Sequence, residues 1–400
     1  MLTYEEALAR ILATLPPVRS EQVPLAEAAG RFLAEPVVST LDLPPFDNSA
    51  MDGYAVRAAD VISASAEQPV ALRLIGQVGA GQVFKGGVNL QTCVRLFTGT
   101  PLPAGADAVV MQEDTRAEGD TVLVLDRARP WENVRLRGED VKAGAGLVTP
   151  GTRLGAGHLG LLAAVGTARV RVARRPRVAI VATGSELRPP GKPLAPGQIY
   201  ESNRMMLAAM LTACGAEVRP LPLVPDTLTR TRNALQRAFA ENDAVVTSGG
   251  ASVGQLDFVK AAFTELGGSQ EFWKVAIKPG KPFVFGTLQG KLLFGLPGNP
   301  VSAFVTFLLL VRPALLRWQG ATEVALPAHP GTLVEPLVNR GDRRHFVRVR
   351  VDAEGRVHSA GIQASHRMHS LAAANALVDA PPATTLAAGA TVRVLRVDGL

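Results

Sequence analysis

Two cysteines in 400 residues, Cys93 and Cys214, stand far apart and lack C-x-x-C spacing. This excludes a disulfide framework and a thiolate metal knuckle, and it fits a reducing compartment. Aromatic side chains are equally scarce, at 5% of the chain. With no zinc finger, RNA-recognition signature or long basic run present, the net charge of +7 points to a small anionic substrate rather than to nucleic acid. Long apolar runs are missing too. The longest, residues 301–311, contains Thr306 and is too short to cross a bilayer, so it reads as a buried helix. At the N-terminus Glu5, Glu6 and Arg10 interrupt any signal-peptide core, and a cytoplasmic protein without a membrane partner is expected.

What the chain does carry is concentrated in residues 272–302, FWKVAIKPGKPFVFGTLQGKLLFGLPGNPVS. Lys274 and Lys278 are an even number of residues apart, so they are expected on one face of an extended strand, with Lys281 at the following turn. Asn299 suits an N-cap and Pro300 a first helical position. A helix over residues 301–318 should therefore present free backbone N–H groups and its positive dipole end near Gly298. Cations beside a helix start make a site for a multiply charged anion.

At 47% hydrophobic content the chain can bury several cores, and its length predicts about two to four domains. Thr3 and Glu6 have capping-box spacing ahead of a helix with Tyr4, Leu8, Ile11, Leu12 and Leu15 on one face. A related helical pattern returns at residues 154–165, which predicts a split N-terminal domain made of residues 1–43 and 139–173. Between the two pieces, ALRLIGQV, CVRLFTG, AVVMQED and TVLVLD are short strands separated by glycine, proline and aspartate, as in an inserted β domain at 44–138. Strand and helix then alternate over 174–326, the pattern of an α/β domain with a mostly parallel sheet. A β domain at 327–400 follows, with FVRVRVDAEGRVHSA as a hairpin and ATVRVLRV as the last strand. The five arginines of residues 169–177 read as a solvated linker.

Ligands of parallel sheets sit beyond the carboxyl ends of the strands. Those ends carry Thr183, Gly184 and Glu186, then Asp226, then Gly249, Gly250 and Asp257, a rim able to hold a phosphate together with Mg²⁺. Other motifs fall away. Gly155, Gly157 and Gly160 spell G-x-G-x-x-G, but arginines follow instead of the acidic residue a dinucleotide site needs, so they mark a helix start. The Gly-Lys pairs ending at Lys192, Lys281 and Lys291 complete no Walker A loop. His366 and His369 have helical spacing without acidic or thiol companions and read as surface residues.

The strings PPFDNSAMDGYAV (residues 44–56), TGTPLPAGADAVVMQE (98–113), RGED (137–140), ATGSEL, GQIYESN, SGGASVGQLD, FWKVAIKPGKP and GLPGNPVS occur in one order along the chain. In them the chain resembles the molybdopterin molybdenumtransferases, relatives of the gephyrin E domain. The resemblance implies insertion of molybdate into adenylated molybdopterin with release of AMP, in a Mg²⁺-dependent reaction. It also implies a C-terminal β-barrel and a homodimer whose cleft is shared between subunits, with possible contacts to a molybdopterin adenylyltransferase and to acceptor apoenzymes. By the same resemblance Glu186, Asp226 and Asp257 would hold the metal, and Lys274 and Lys278 would neutralise phosphate and molybdate. Gly249, Gly250, Ser252, Lys281, Pro297, Gly298, Asn299 and Pro300 would shape the binding pocket, with Arg348 and Ser365 holding the oxyanion. Asp52, Thr98 and Asp140 would act from the partner subunit. Without that role, Asp52 makes a turn and Asp140 caps a helix or pairs with Arg137.

The chain departs from the family pattern at Ser185, where many members have an acidic residue, and at Ala364, where glycine is frequent. Two other readings remain. A gephyrin-like scaffold is disfavoured by the retained charged residues, and a molybdopterin adenylyltransferase by the additional domains.

Overall fold

The computed structural model describes residues 1–250 and 258–397. Its centre is a six-stranded sheet in the order Glu217–Pro220, Arg177–Ala182, Ala244–Ser248, Lys291–Leu296, Pro282–Leu288 and Ser269–Lys274. The first four strands run parallel, Pro282–Leu288 runs antiparallel to them, and Ser269–Lys274, antiparallel to Pro282–Leu288, resumes their direction. The near-continuous apolar sequences of the four inner strands follow from burial on both faces, while the two edge strands are polar and more exposed. Val178, Ile180, Val246 and Phe294 enter one core, while Ala179, Val181, Val245 and Leu293 enter the other. Helices Leu228–Glu241 and Phe258–Glu265 cover the second face.

The first face is covered by helix Asn203–Ala213 and by a continuous helical stretch from Pro300 to Trp318. By length and composition that stretch could cross a membrane, but 78% of its apolar window is buried inside the protein. It is not uniform. A π-helical turn at Phe307–Val311 separates two α-helical segments just ahead of Pro313, whose ring has no N–H to donate to the preceding turn.

The N-terminal helix Tyr4–Ala13 forms with the expected capping box, Glu6 N donating to Thr3 Oγ1 and Thr3 N to Glu6 Oε2. It does not pack with the split domain to which residues 1–43 were assigned. Its apolar stripe instead buries Ala7 and Ile11 in the central core, with Tyr4, Leu8 and Leu15 against it. The strand Ser20–Pro24 pairs antiparallel with Arg169–Ala173. Helix Ala156–Ala164 begins at Gly155, so the glycine motif there is a helix start.

The inserted region forms a six-stranded mixed sheet containing Gly53–Val56, Val70–Val78, Thr92–Leu96, Ala108–Met111, Thr115–Glu118 and Thr121–Val124. At the C-terminal end, Arg344–Val351, Arg356–Ser359, Ala328–Leu333, Thr391–Arg396 and Ala376–Ala380 close into a five-stranded barrel, the last pairing back to the first. Its outer side, through Phe346, Leu377 and Leu395, joins the central core.

Candidate active site

The parallel strands deliver their carboxyl ends to one cleft of about 640 Å³. Arg177–Ala182 runs into Thr183, Gly184 and Glu186, Ala244–Ser248 into Gly249 and Gly250, and Lys291–Leu296 into Gly298, Asn299 and Pro300. The glycines are required by geometry. Gly249 and Gly250 have φ of +85° and +66°, and a Cβ on Gly249 would lie 2.6 Å from the Thr183 carbonyl oxygen. A Cβ on Gly298 would come within 3.6 Å of Gly249 Cα, so the two glycine turns pack against each other.

Glu186 and Asp226 both line this cleft. Asp226 is held in place by Ser185: Ser185 N donates to Asp226 Oδ2 (2.9 Å), and Asp226 N donates to Ser185 Oγ (3.0 Å). The departure at Ser185 thus orients a neighbouring carboxylate. No group of three His, Cys, Asp or Glu side chains able to hold a metal occurs among the described residues. Asp257 and Ser252 lie outside them. Two carboxylates facing one cavity still suit Mg²⁺, which takes one or two protein carboxylates and completes its shell with water and phosphate oxygens.

Several cleft residues carried no assigned role in the sequence. Asn203 Nδ2 donates to Ser248 Oγ (2.8 Å) and to the Gly298 carbonyl (2.7 Å), tying two strand ends to the start of helix Asn203–Ala213. Its Oδ1 and the Thr183 hydroxyl are buried without partners. Glu201, 2% exposed, accepts from Arg204 N (2.6 Å) and faces Arg204 Nε at 3.3 Å. The sequence ESNR contained this information, since Glu201 precedes Arg204 by the three residues of a helix-start pairing. His366 also lines the cleft. Its pairing with His369 was misleading, because the helix begins only at Met368 and leaves His366 in the preceding loop.

The lysines do not share one strand face. Lys274 ends the central strand Ser269–Lys274, whereas Lys278 belongs to Ile277–Lys278, which pairs in parallel with Arg344 and His345 of the barrel. Between them Ile277 N donates to Val275 O, a tight turn that breaks the alternation. Lys281 returns to the sheet, its carbonyl accepting from Val275 N. The loop packs on the helix that follows the PGNP turn: a Cβ on Gly280 would strike Thr306 Cγ2 at 2.4 Å and come within 3.6 Å of the Ser302 carbonyl oxygen.

That helix start is less open than its sequence suggests. The Asn299 side chain makes no capping bond, and Val301 N donates to the Ser365 carbonyl (3.1 Å). Ser365 therefore meets the motif through its backbone. Arg348, expected to face an oxyanion, is fully buried. Its Nη2 donates to Ile362 O (2.9 Å), Ala364 O (3.2 Å) and Ser370 Oγ (3.1 Å), which holds the loop that carries Ser365. Nε and Nη1 have no partner, and burial pushes the guanidinium pKa down. Phe346 and Arg348 alternate with Val347 and Val349 of the barrel interior, so Arg348 lies on the side of the strand that packs on the central domain. Neither Arg348 nor Pro297 lines the cleft, and the three lysines stand outside its lining as well.

In the inserted sheet Asp52 accepts from Thr98 N (2.7 Å) and Thr98 Oγ1 (2.8 Å), bonds that lower its pKa. These bonds join the two residues, which do not line the cleft of their own chain. Asp140 does not pair with Arg137, whose Nε bonds Asp42 Oδ2 at 2.6 Å.

Three family models match successive parts of the chain. They are the MoeA N-terminal region (domains I and II) over residues 2–166, a probable molybdopterin binding domain over 179–317, and the MoeA C-terminal region (domain IV) over 330–397. The chain is 40% identical over 385 residues to a molybdopterin molybdenumtransferase of Haemophilus influenzae, covering 94% of each chain. It is 37% identical over 405 residues to that of Bacillus subtilis, covering 99% of this chain and 94% of the other. The crystal structure of the molybdopterin biosynthesis moeA protein from Pyrococcus horikoshii superimposes with a TM-score of 0.86 at 32% identity, over 99% of this chain and 100% of that one.

Proposed function

Because the chain belongs to the molybdopterin molybdenumtransferase family, and is thus a transferase of molybdenum cofactor biosynthesis acting on molybdopterin, we propose that it inserts molybdate into adenylated molybdopterin with release of AMP. The observation that carries this reading is the convergence on one cleft of two glycine turns and two carboxylates, with a lysine loop packed on the same helix. Backbone at Gly249, Gly250 and Gly298 can approach a phosphate closely. The unpartnered Asn203 Oδ1 suits the amino and ring N–H donors of a pterin.

Mg²⁺ held by Glu186, Asp226 and phosphate oxygens would polarise the pyrophosphate link. Lys274 and Lys278 neutralise charge on the phosphates and the oxyanion, with Lys281 at the loop's return. Arg348 positions the loop of Ser365 and does not itself touch the oxyanion. Asp52, Thr98 and Asp140 serve the cleft of a second copy in a homodimer, a reading supported by their absence from the cleft lining of their own chain. We place the protein in the cytoplasm, in keeping with its two free, buried cysteines.

Purified protein supplied with adenylated molybdopterin, Mg²⁺ and molybdate should release AMP only when molybdate is present. Lys274→Ala and Asp226→Asn should each lower that rate about 100-fold or more. No release from the wild type would remove the function, and unchanged rates in both variants would remove the site. Mixing Asp52→Asn with Asp226→Asn chains should restore part of the activity if the cleft is shared.

A further inference from the structure

A second cavity, of about 380 Å³, lies at the other end of the central sheet, where the strands begin. Arg177 opens Arg177–Ala182, Asp243 immediately precedes Ala244–Ser248, and Lys291 opens Lys291–Leu296. Arg19, Arg174 and Trp318 complete the wall. Four cations thus surround one carboxylate, and that carboxylate is already engaged. Asp243 accepts from Arg174 Nη2 (2.9 Å) and Arg177 N (2.8 Å), and its Oδ2 lies 3.6 Å from Arg177 Nε. Lys291 Nζ donates to the Phe239 carbonyl, which leaves two of its N–H groups available. The Arg19 guanidinium has no acceptor among the described residues. The linker reading of residues 169–177 covers only part of this: Arg169 and Arg171 pair locally with Gln22 O and Glu35, while Arg174 and Arg177 turn toward the cavity.

We propose that this cavity is a second anion-binding site, for a small ligand of the phosphate class, separate from the cleft. Like charges gathered around a concave surface raise the local concentration of anions, and guanidinium forks match phosphate oxygens in pairs. The volume falls in the range of small-molecule sites. Trp318 with Pro16 and Pro176 gives one apolar wall, on which a flat organic group attached to the phosphate would lie.

The three tryptophans permit a test that separates the two sites, by fluorine NMR of protein labelled with 5-fluorotryptophan. Trp318 reports the cavity. Trp273, whose ring lies 5.0 Å from Lys274 Nζ, reports the lysine loop, and Trp131 in the inserted region is the control. Inorganic pyrophosphate should shift the Trp318 resonance saturably, more weakly as ionic strength rises. Arg19→Glu, at an exposed position, and Arg177→Ala should each raise the apparent Kd for that shift about tenfold or more while leaving Trp131 unmoved. An AMP titration of the same signal separates a nucleotide from a free polyphosphate as the preferred ligand. A Trp318 signal indifferent to both anions, or titrating in Arg19→Glu as in the wild type, would overturn the proposal. Absence of AMP release in the enzyme assay would leave this readout untouched.

Discussion

The cleft and the barrel wall beside it handle polar groups in opposite ways. In the cleft most polar side chains find a partner: Ser185 and Asp226, near the solvent, exchange two bonds, and the buried Asn203 joins Ser248 to Gly298, its Oδ1 alone left unpaired. In the barrel wall the polar atoms are sealed and left short of partners, with Arg348 Nε and Nη1 and both ring nitrogens of His345 buried unpaired. The first arrangement costs little and keeps carboxylates fixed for a ligand. In the second, folding bears a desolvation penalty of about 1–3 kcal/mol for each unsatisfied group in order to hold a loop in place. Rigidity comes from backbone shape in one region and from a buried cation in the other.

This contrast can be broken at three points. The largest effect is expected in the cleft. Gly249→Ala must adopt φ near +85° and meets the Thr183 carbonyl, so stability should fall by about 3–4 kcal/mol and AMP release should collapse. Gly144→Ala, with φ of +87° and nothing nearby, should lose only about 1 kcal/mol. Equal melting temperatures for the two variants would show that shape in the cleft is not the constraint.

In the barrel wall, Arg348→Ala should cost about 2–3 kcal/mol in urea unfolding, through a cavity and three lost bonds to the loop. Arg348→Met, which fills the space without a buried charge, should cost less than about 1 kcal/mol or stabilise. Both should impair activity, because Ser365 loses its anchor. An Arg348→Met protein with full activity would refute the positioning role.

The smallest effect depends on pH. Burial, followed by the charges of Lys278, Arg348 and Arg343, lowers the His345 pKa to about 4. Between that value and its ordinary value near 6.5 the unfolded chain binds a proton that the folded chain refuses, so this contribution to stability is complete above pH 6.5 and is lost as the pH falls. At pH 5 the loss should be on the order of 2 kcal/mol, and His345→Phe should flatten the stability profile by that amount. Parallel profiles for the two proteins would mean that His345 is not what titrates.

Much of the architecture was legible because burial on both faces writes itself into the strand sequences. RVAIVATG and DAVVTSGG could be read as central strands, and the glycines after them as rim turns, since the constraint there is local. The residues that were misread depend on long-range packing. The alternation of FVRVRV is the same whether its charged side meets water or a second domain, so the burial of Arg348 was invisible. Lys274 and Lys278 were placed on one strand because spacing alone does not reveal a turn at Ala276 or a partner strand nearly seventy residues away. His366 was set aside because its spacing from His369 imitated a helix that starts two residues later.

The pairing of Ile277–Lys278 with the barrel has a mechanical consequence. Lys274 is fastened to the central sheet and Lys278 to the barrel, with three residues between them. Any swing of the barrel against the sheet must change the spacing of these two ammonium groups, so the separation of the lysines works as a gauge of domain position. A labelled pair at residues 274 and 278 would convert that motion into a distance, and the match between the two charges and a bound anion would become a property of the angle between two domains.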